Sequence, residues 1–166
     1  MIHLYCGDGK GKTTAAAGLS IRMAGNGKKV LFIQFLKGSP TGEVVSLEKL
    51  GVKVIRCDRE YGFWNSLDDS EKSCLLECHN KNLEYAKEHM RDFDMIVLDE
   101  ICAAYNLCAV NRDKVREFIE NCTAELVITG RDPDESFTKH ADYISEIKKI
   151  RHPFDKGVQA RKGIEY

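Results

Sequence analysis

The segment "YCGDGKGKTTAAAG", Tyr5 to Gly18, holds the densest group of residues able to do chemistry. Gly7, Gly9 and Gly11 let backbone amides turn inward around phosphate oxygens. Lys12 supplies a point charge to a phosphate chain, and the Thr13 hydroxyl offers a ligand to Mg²⁺. The spacing follows G-x-x-x-x-G-K-[ST] except at its first position, where Cys6 replaces glycine. A glycine-rich turn with surface lysines is the bland alternative. A strand before the loop and a helix after it favour phosphate binding, because that context aims the helix dipole at the anion.

A second group of residues belongs to the same chemistry. "FDMIVLDE" carries Asp99 and Glu100 on an apolar run to a strand end, where a carboxylate can bind Mg²⁺ directly or through water. Alone, two acids that solvate a strand end would look the same. "ITGRDPDE" puts Arg131 at another strand end, either on phosphate or on a surface turn. Lys37 and Arg161 leave the same two readings open. Tyr61, Phe63 and Trp64 cluster around Gly62, as a plug under a loop or as the wall of a ligand site.

The cysteines are Cys6, Cys57, Cys74, Cys78, Cys102, Cys108 and Cys122. An odd number spread along the chain, with no C-x-x-C pair, predicts neither a disulfide framework nor a structural zinc site. Cys74 and Cys78, with His79 beside them, are the one tight cluster, and two ligands do not make a site. The bland reading of this cluster is small buried hydrophobes in a reducing cytosol.

These residues need elements to hold them. Strands are expected at "MIHLYC", "KVLFIQFL", "VKVIRC", "FDMIVLDE", "ELVITG" and "DYISEIKKI". Helices are expected from Lys12 to about Ala24, from Glu43 to Leu50, from near Ser70 to Arg91 with Asp69 as its cap, and from Asn111 to Cys122. A short helix follows "RDPDE", and the tail "RHPFDKGVQARKGIEY" has no period. Strands separated by helices imply βαβ units and a mostly parallel sheet with right-handed crossovers. The expected architecture is a three-layer α/β P-loop NTPase-like (RecA-like) fold. Ligands then sit at the carboxyl ends of strands, where "CGDGKGKT", "QFLKG", "LDE" and "TGR" converge.

The 166 residues suit one domain over 1–166. A net charge of −1 gives no global case for nucleic acid or membrane. No apolar run approaches the roughly 18 residues of a membrane span, and "MIHLYCGDGKG" has no secretory pattern. A cytoplasmic protein is expected.

Several motifs together resemble one family. "GDGKGKTTAAAGLSIRMAGNGKKVLFIQFLKG", "MIVLDEI", "VITGR" and the tail "HPFDKGVQARKGIEY" are similar to the P-loop type of ATP:corrinoid adenosyltransferase. General P-loop kinases lack that tail. The resemblance implies transfer of the 5′-deoxyadenosyl group of ATP to Co(I) of a corrinoid, with triphosphate leaving, in cobalamin biosynthesis or salvage. It also implies a variant loop that holds the nucleotide reversed. The nucleotide-binding residues implied are Gly7, Asp8, Gly9, Lys10, Gly11, Lys12, Thr13 and Thr14, with Lys37, Arg131 and Arg161 on the phosphates. Mg²⁺ would lie on Thr13 and Glu100, with Asp99 adjacent.

Lys12, Phe63 and Trp64 are the catalytic residues implied. The aromatics of a G-F-x-W motif displace the lower axial ligand of cobalt, which makes Co(II) easier to reduce. Here the order is Gly62-Phe63-Trp64-Asn65, with tryptophan one residue early. Many members carry an arm before the first strand. This chain begins on that strand, so the corrinoid site is expected to be covered otherwise or to stay more open. A homodimer and a flavoprotein electron donor are also implied. A small-molecule kinase and a non-catalytic corrinoid carrier are the alternatives.

Overall fold

Two strands have no polar face. β2 (Val30–Gln34) and β4 (Met95–Asp99) are buried at every position, as continuous apolar runs must be when helices cover both faces of a parallel sheet. A computed structural model describes residues 1–38, 41–59 and 61–165. Glu60 of the aromatic segment and Tyr166 of the tail lie outside the described residues. The other strands are β1 (Ile2–Cys6), β3 (Lys53–Ile55), β5 (Glu125–Thr129) and β6 (Tyr143–Glu146). Their order is β3-β2-β4-β5-β1-β6, and every neighbouring pair is parallel.

Side chains alternate across this sheet with a period of two. Phe32, Val97 and Val127 face α1 (Lys12–Gly25) and α2 (Gly42–Lys49). Leu31, Ile33, Leu98 and Ile128 face the other cluster, which holds Leu83 of α3 (Asp69–Glu88), Ile101 of α4 (Ile101–Asn106), Phe118 of α5 (Arg112–Asn121) and Phe137 of α6 (Glu135–Thr138). The three layers form a P-loop NTPase-like α/β fold. β5 stands between the loop strand β1 and the acid strand β4. Because all strands run the same way, their carboxyl ends share one rim.

Several expectations change at the element ends. Asp68, not Asp69, caps α3. Its carboxylate accepts from the Glu71 amide at 2.8 Å, and the Glu71 carboxylate accepts from the Asp68 amide at 3.2 Å, a capping box that makes Asp69 the first helical residue. α3 stops at Glu88, and Met90–Asp92 form a separate 3-10 turn. β6 spans Tyr143–Glu146 because its partner β1 ends at Cys6, opposite Glu146. α4 was not expected; it begins directly after the acids at the end of β4.

The cysteine reading needs the larger correction. Cys57 and Cys78 form a disulfide, with Cα atoms 6.1 Å apart. Cys57 leaves β3 and Cys78 lies on α3, so the fold brings together residues that local spacing does not pair. Cys74 is exposed rather than buried. Among the described residues no cluster of three metal-binding side chains of the His, Cys, Asp or Glu type exists, and no helix is long and apolar enough to cross a membrane.

Candidate active site

The first-glycine position lies inside β1. Cys6 pairs across to Glu146 as a strand residue, so a Cβ there is tolerated. The turn begins one residue later. Gly7 has φ 101, and a Cβ on it would meet the Ile147 carbonyl oxygen at 2.5 Å. Gly9 lies against the same backbone and donates its amide to Ile147 O at 2.7 Å. Gly11, with φ 121, is the residue from which α1 starts. The loop is therefore held from behind by the chain leaving β6.

Lys12 turns back over the loop it closes. Its Nζ donates to Gly7 O at 2.7 Å and to Gly9 O at 2.9 Å. Burial lowers its pKa from the usual lysine value, opposed by the Glu100 charge. The two carbonyls partner an ammonium that is only 7% exposed, as a buried charge requires.

The hydroxyl of Thr13 meets Asp99. Thr13 Oγ1 donates to Asp99 Oδ1 at 2.9 Å, although β5 intervenes in the sheet. Thr129, the last residue of β5, fills the gap. Its Oγ1 donates to Asp99 Oδ1 at 2.7 Å and accepts the Glu100 amide at 2.9 Å. Lys37 Nζ bridges Thr13 Oγ1 at 2.9 Å and Asp99 Oδ2 at 2.8 Å. Gln34 Nε2 lies 3.4 Å from Asp99 Oδ2 and 3.2 Å from Glu43 Oε1. Asp99 is fully buried with this ring of donors around it, which suits a carboxylate taken out of water.

Glu100 faces the opening. Its φ of 62 places a non-glycine residue in the left-handed region, a strain of order ~1–3 kcal/mol of the kind that collects at functional sites. Burial raises its carboxyl pKa, and the neighbouring Asp99 charge raises it further, against the lysines and Arg131. Glu100 is thus an acid that a bound cation would relieve.

A cleft of about 850 Å³ opens over these groups. Asp8, Gly9, Lys10, Gly11, Lys12, Thr13, Thr14, Lys37, Glu100 and Arg131 all line it. Residues that sequence reasoning did not single out also line it, notably Glu43 and Ser46 from α2 and His152 and Ile164 from the tail. The tail is tied to the loop, since Lys10 Nζ donates to Ile164 O at 2.7 Å. Arg161 is not among the lining residues; its guanidinium pairs with Glu165 at 3.2 Å, and Glu165 lines the cleft instead.

The aromatics stand apart from this cleft. Phe63 is 90% exposed. Trp64 opens a 3-10 turn, Trp64–Ser66, and is partly buried, with Tyr61, against Cys57, Leu67 and Leu75. Lys72 Nζ lies 5.9 Å from the Trp64 ring centroid. The plug reading holds for Tyr61 and Trp64, while Phe63 points out of the loop.

The family model for ATP:corrinoid adenosyltransferase BtuR/CobO/CobP matches residues 1–166. The chain belongs to this family. A corrinoid adenosyltransferase of Escherichia coli strain K12 is 34% identical over 172 residues, covering 100% of this chain and 85% of that protein. Corrinoid adenosyltransferase CobA of Salmonella typhimurium is 34% identical over 176 residues, with 85% of its length covered. A corrinoid adenosyltransferase of Pseudomonas aeruginosa is 31% identical over 172 residues, covering 83% of its length. As a corrinoid adenosyltransferase family member the protein is an enzyme that uses ATP and a corrinoid.

Proposed function

We propose that the enzyme transfers the 5′-deoxyadenosyl group of ATP to Co(I) of a corrinoid and releases inorganic triphosphate. The supporting observation is the phosphate loop with its two lysines, the buried Lys12 and the half-buried Lys37, in a chain that matches an adenosyltransferase family from end to end. The Co(I) electron pair attacks C5′. The C5′–O bond breaks with its electrons going to the triphosphate, and cobalt becomes formally Co(III). Cobalt is itself the nucleophile, so the protein need supply none. Its task is to stabilise charge on the leaving group, through loop amides, the start of α1 and Lys12.

Mg²⁺ fits the oxygens present. Thr13, Asp99 and Glu100 are hard ligands, and the Lys37 ammonium already bridges Thr13 and Asp99, so a positive charge is favoured at that pair. When bound, the ion would neutralise charge on the triphosphate. Thr13 and Glu100 would hold it directly. Asp99, closed in by Thr129, Gln34 and Lys37, would orient Thr13.

Phe63 would lie below the corrinoid, where an aromatic ring offers cobalt no lone pair, and Trp64 would fix the loop behind it. Cytoplasmic location, a homodimer and a flavoprotein electron donor belong to the same proposal. Incubation with ATP, Mg²⁺ and chemically generated Co(I) tests it. Triphosphate formed as the Co(I) absorbance disappears supports the reading. ADP as product would make the enzyme a kinase, and persistent Co(I) would leave it a carrier.

A further inference from the structure

Lys37 reaches Thr13 and Asp99 from a backbone held in an unusual shape. Leu36, just before it, has φ 56, a left-handed conformation that a Cβ disfavours. A side chain from another layer supports it. His79 of α3, 1% exposed, accepts the Leu36 amide on Nε2 at 3.1 Å, and its Nδ1 lies 2.8 Å from the Ala109 carbonyl oxygen. A carbonyl only accepts, so Nδ1 carries the proton and Nε2 is bare. The Phe35 ring meets the imidazole edge-on at 5.2 Å and fixes its plane. Burial pushes the ring pKa down to about 4, so the acceptor nitrogen stays unprotonated at neutral pH.

We propose that His79 is the positioning residue for Lys37: its bare Nε2 holds the Leu36 amide, and so sets where the Lys37 ammonium stands over Thr13 and Asp99. His79 itself is not among the residues that line the cleft. The inference rests on Lys37 serving the phosphate site as proposed above. The same helix also carries Cys78, which the disulfide ties to Cys57 beyond β3.

The test compares wild type, Lys37→Ala, His79→Phe, the double variant and His79→Gln, in Co(I)-started transfer with ATP and Mg²⁺. His79→Phe is expected to lower kcat about tenfold, the scale of losing a supporting contact behind a ligand shell, with KM for the corrinoid unchanged. In the Lys37→Ala background the same change should alter kcat by less than about twofold, because residues acting through one group are not additive. His79→Gln, whose Oε1 can accept the Leu36 amide, should stay within about threefold of wild type. Equal losses from His79→Phe in both backgrounds, or none in either, would overturn the proposal. No effect from Lys37→Ala alone would overturn the reading of the site as well. A separate measurement needs no variant: ¹⁵N spectra of histidine-labelled enzyme near neutral pH should show a neutral His79 ring protonated at Nδ1. A ring protonated at Nε2, or at both nitrogens, overturns the proposal even if His79→Phe fails to fold.

Discussion

Lys12 and Phe63 are both proposed for the reaction, yet one is 7% exposed and the other 90%. Around Lys12, the carbonyls of Gly7 and Gly9, the buried Asp99 and the hydroxyls of Thr13 and Thr129 are bonded to one another or to a lysine. Around Phe63 the loop has one short turn and a small cluster behind it. Under the proposed roles, the chain completes the triphosphate half of the chemistry by itself. A triphosphate is small and highly charged, so its donors must be fixed beforehand to stabilise charge as it develops. A corrinoid is a large flat surface, and an exposed ring gains its contacts only when that surface arrives.

Lys12 carries the largest expected effect. Lys12→Ala should cost ~3 kcal/mol or more of transition-state stabilisation, roughly a hundredfold in rate, in a protein that still melts cooperatively. Near-normal transfer would mean that the dense half is structural only. Next comes the disulfide, which ties the base of the sparse half to α3. Denatured enzyme should present five thiols before reduction and seven after it. Reduction should lower stability by about 3 kcal/mol, given a sequence separation of 21, and proteolysis of the reduced protein should begin near residues 58–68. Seven thiols without reductant would remove the tether.

A smaller effect concerns Glu100. Its folded pKa is raised, so the native state binds a proton more readily than the unfolded chain does. Stability is therefore lost as pH rises from the ordinary glutamate value of 4.5 through the folded value. Glu100→Gln should raise the melting temperature at neutral pH without Mg²⁺, and the gain should vanish in acid below that window. In wild type, Mg²⁺ with ATP should recover part of the same gain. A melting temperature unchanged by the substitution would show that Glu100 is not held at a cost.

Much of the dense half was legible because it is local. "CGDGKGKTT" follows a strand and opens a helix, and the apolar run before Asp99 places the two acids at a strand end on the same rim. What was missed depends on long-range pairing. Thr129 meets Asp99 only because β5 lies between β1 and β4, an order no local pattern encodes. Asp99 and Glu100 read alike from the residues alone, and only the resemblance favoured Glu100; the left-handed turn that parts them belongs to the folded backbone. The return of Ile164 to Lys10 joins residues from opposite ends of the chain, and the Cys57–Cys78 pair crosses from a strand end to a helix. His79 sits on the α3 stripe with Leu75 and Leu83 at spacings of four, where a histidine reads as core until its two partners are known. In the sparse half the sequence showed three aromatics together, but burial separates Tyr61 and Trp64 from Phe63, and that separation depends on tertiary packing.

If the phosphate clamp serves transfer while the aromatic loop serves cobalt reduction, Phe63→Ala must separate the two steps when assayed from both cobalt oxidation states. Its ring is 90% exposed, so the melting temperature should hardly move, unlike a core truncation costing ~3–5 kcal/mol. Starting from Co(II), where the axial ligand must leave before reduction, the rate should fall about tenfold, the equivalent of ~1.4 kcal/mol. Starting from preformed Co(I), the rate and the KM for ATP should stay near wild type. Equal losses from both starting states would contradict the division, and would place Phe63 with the transfer step or with the fold.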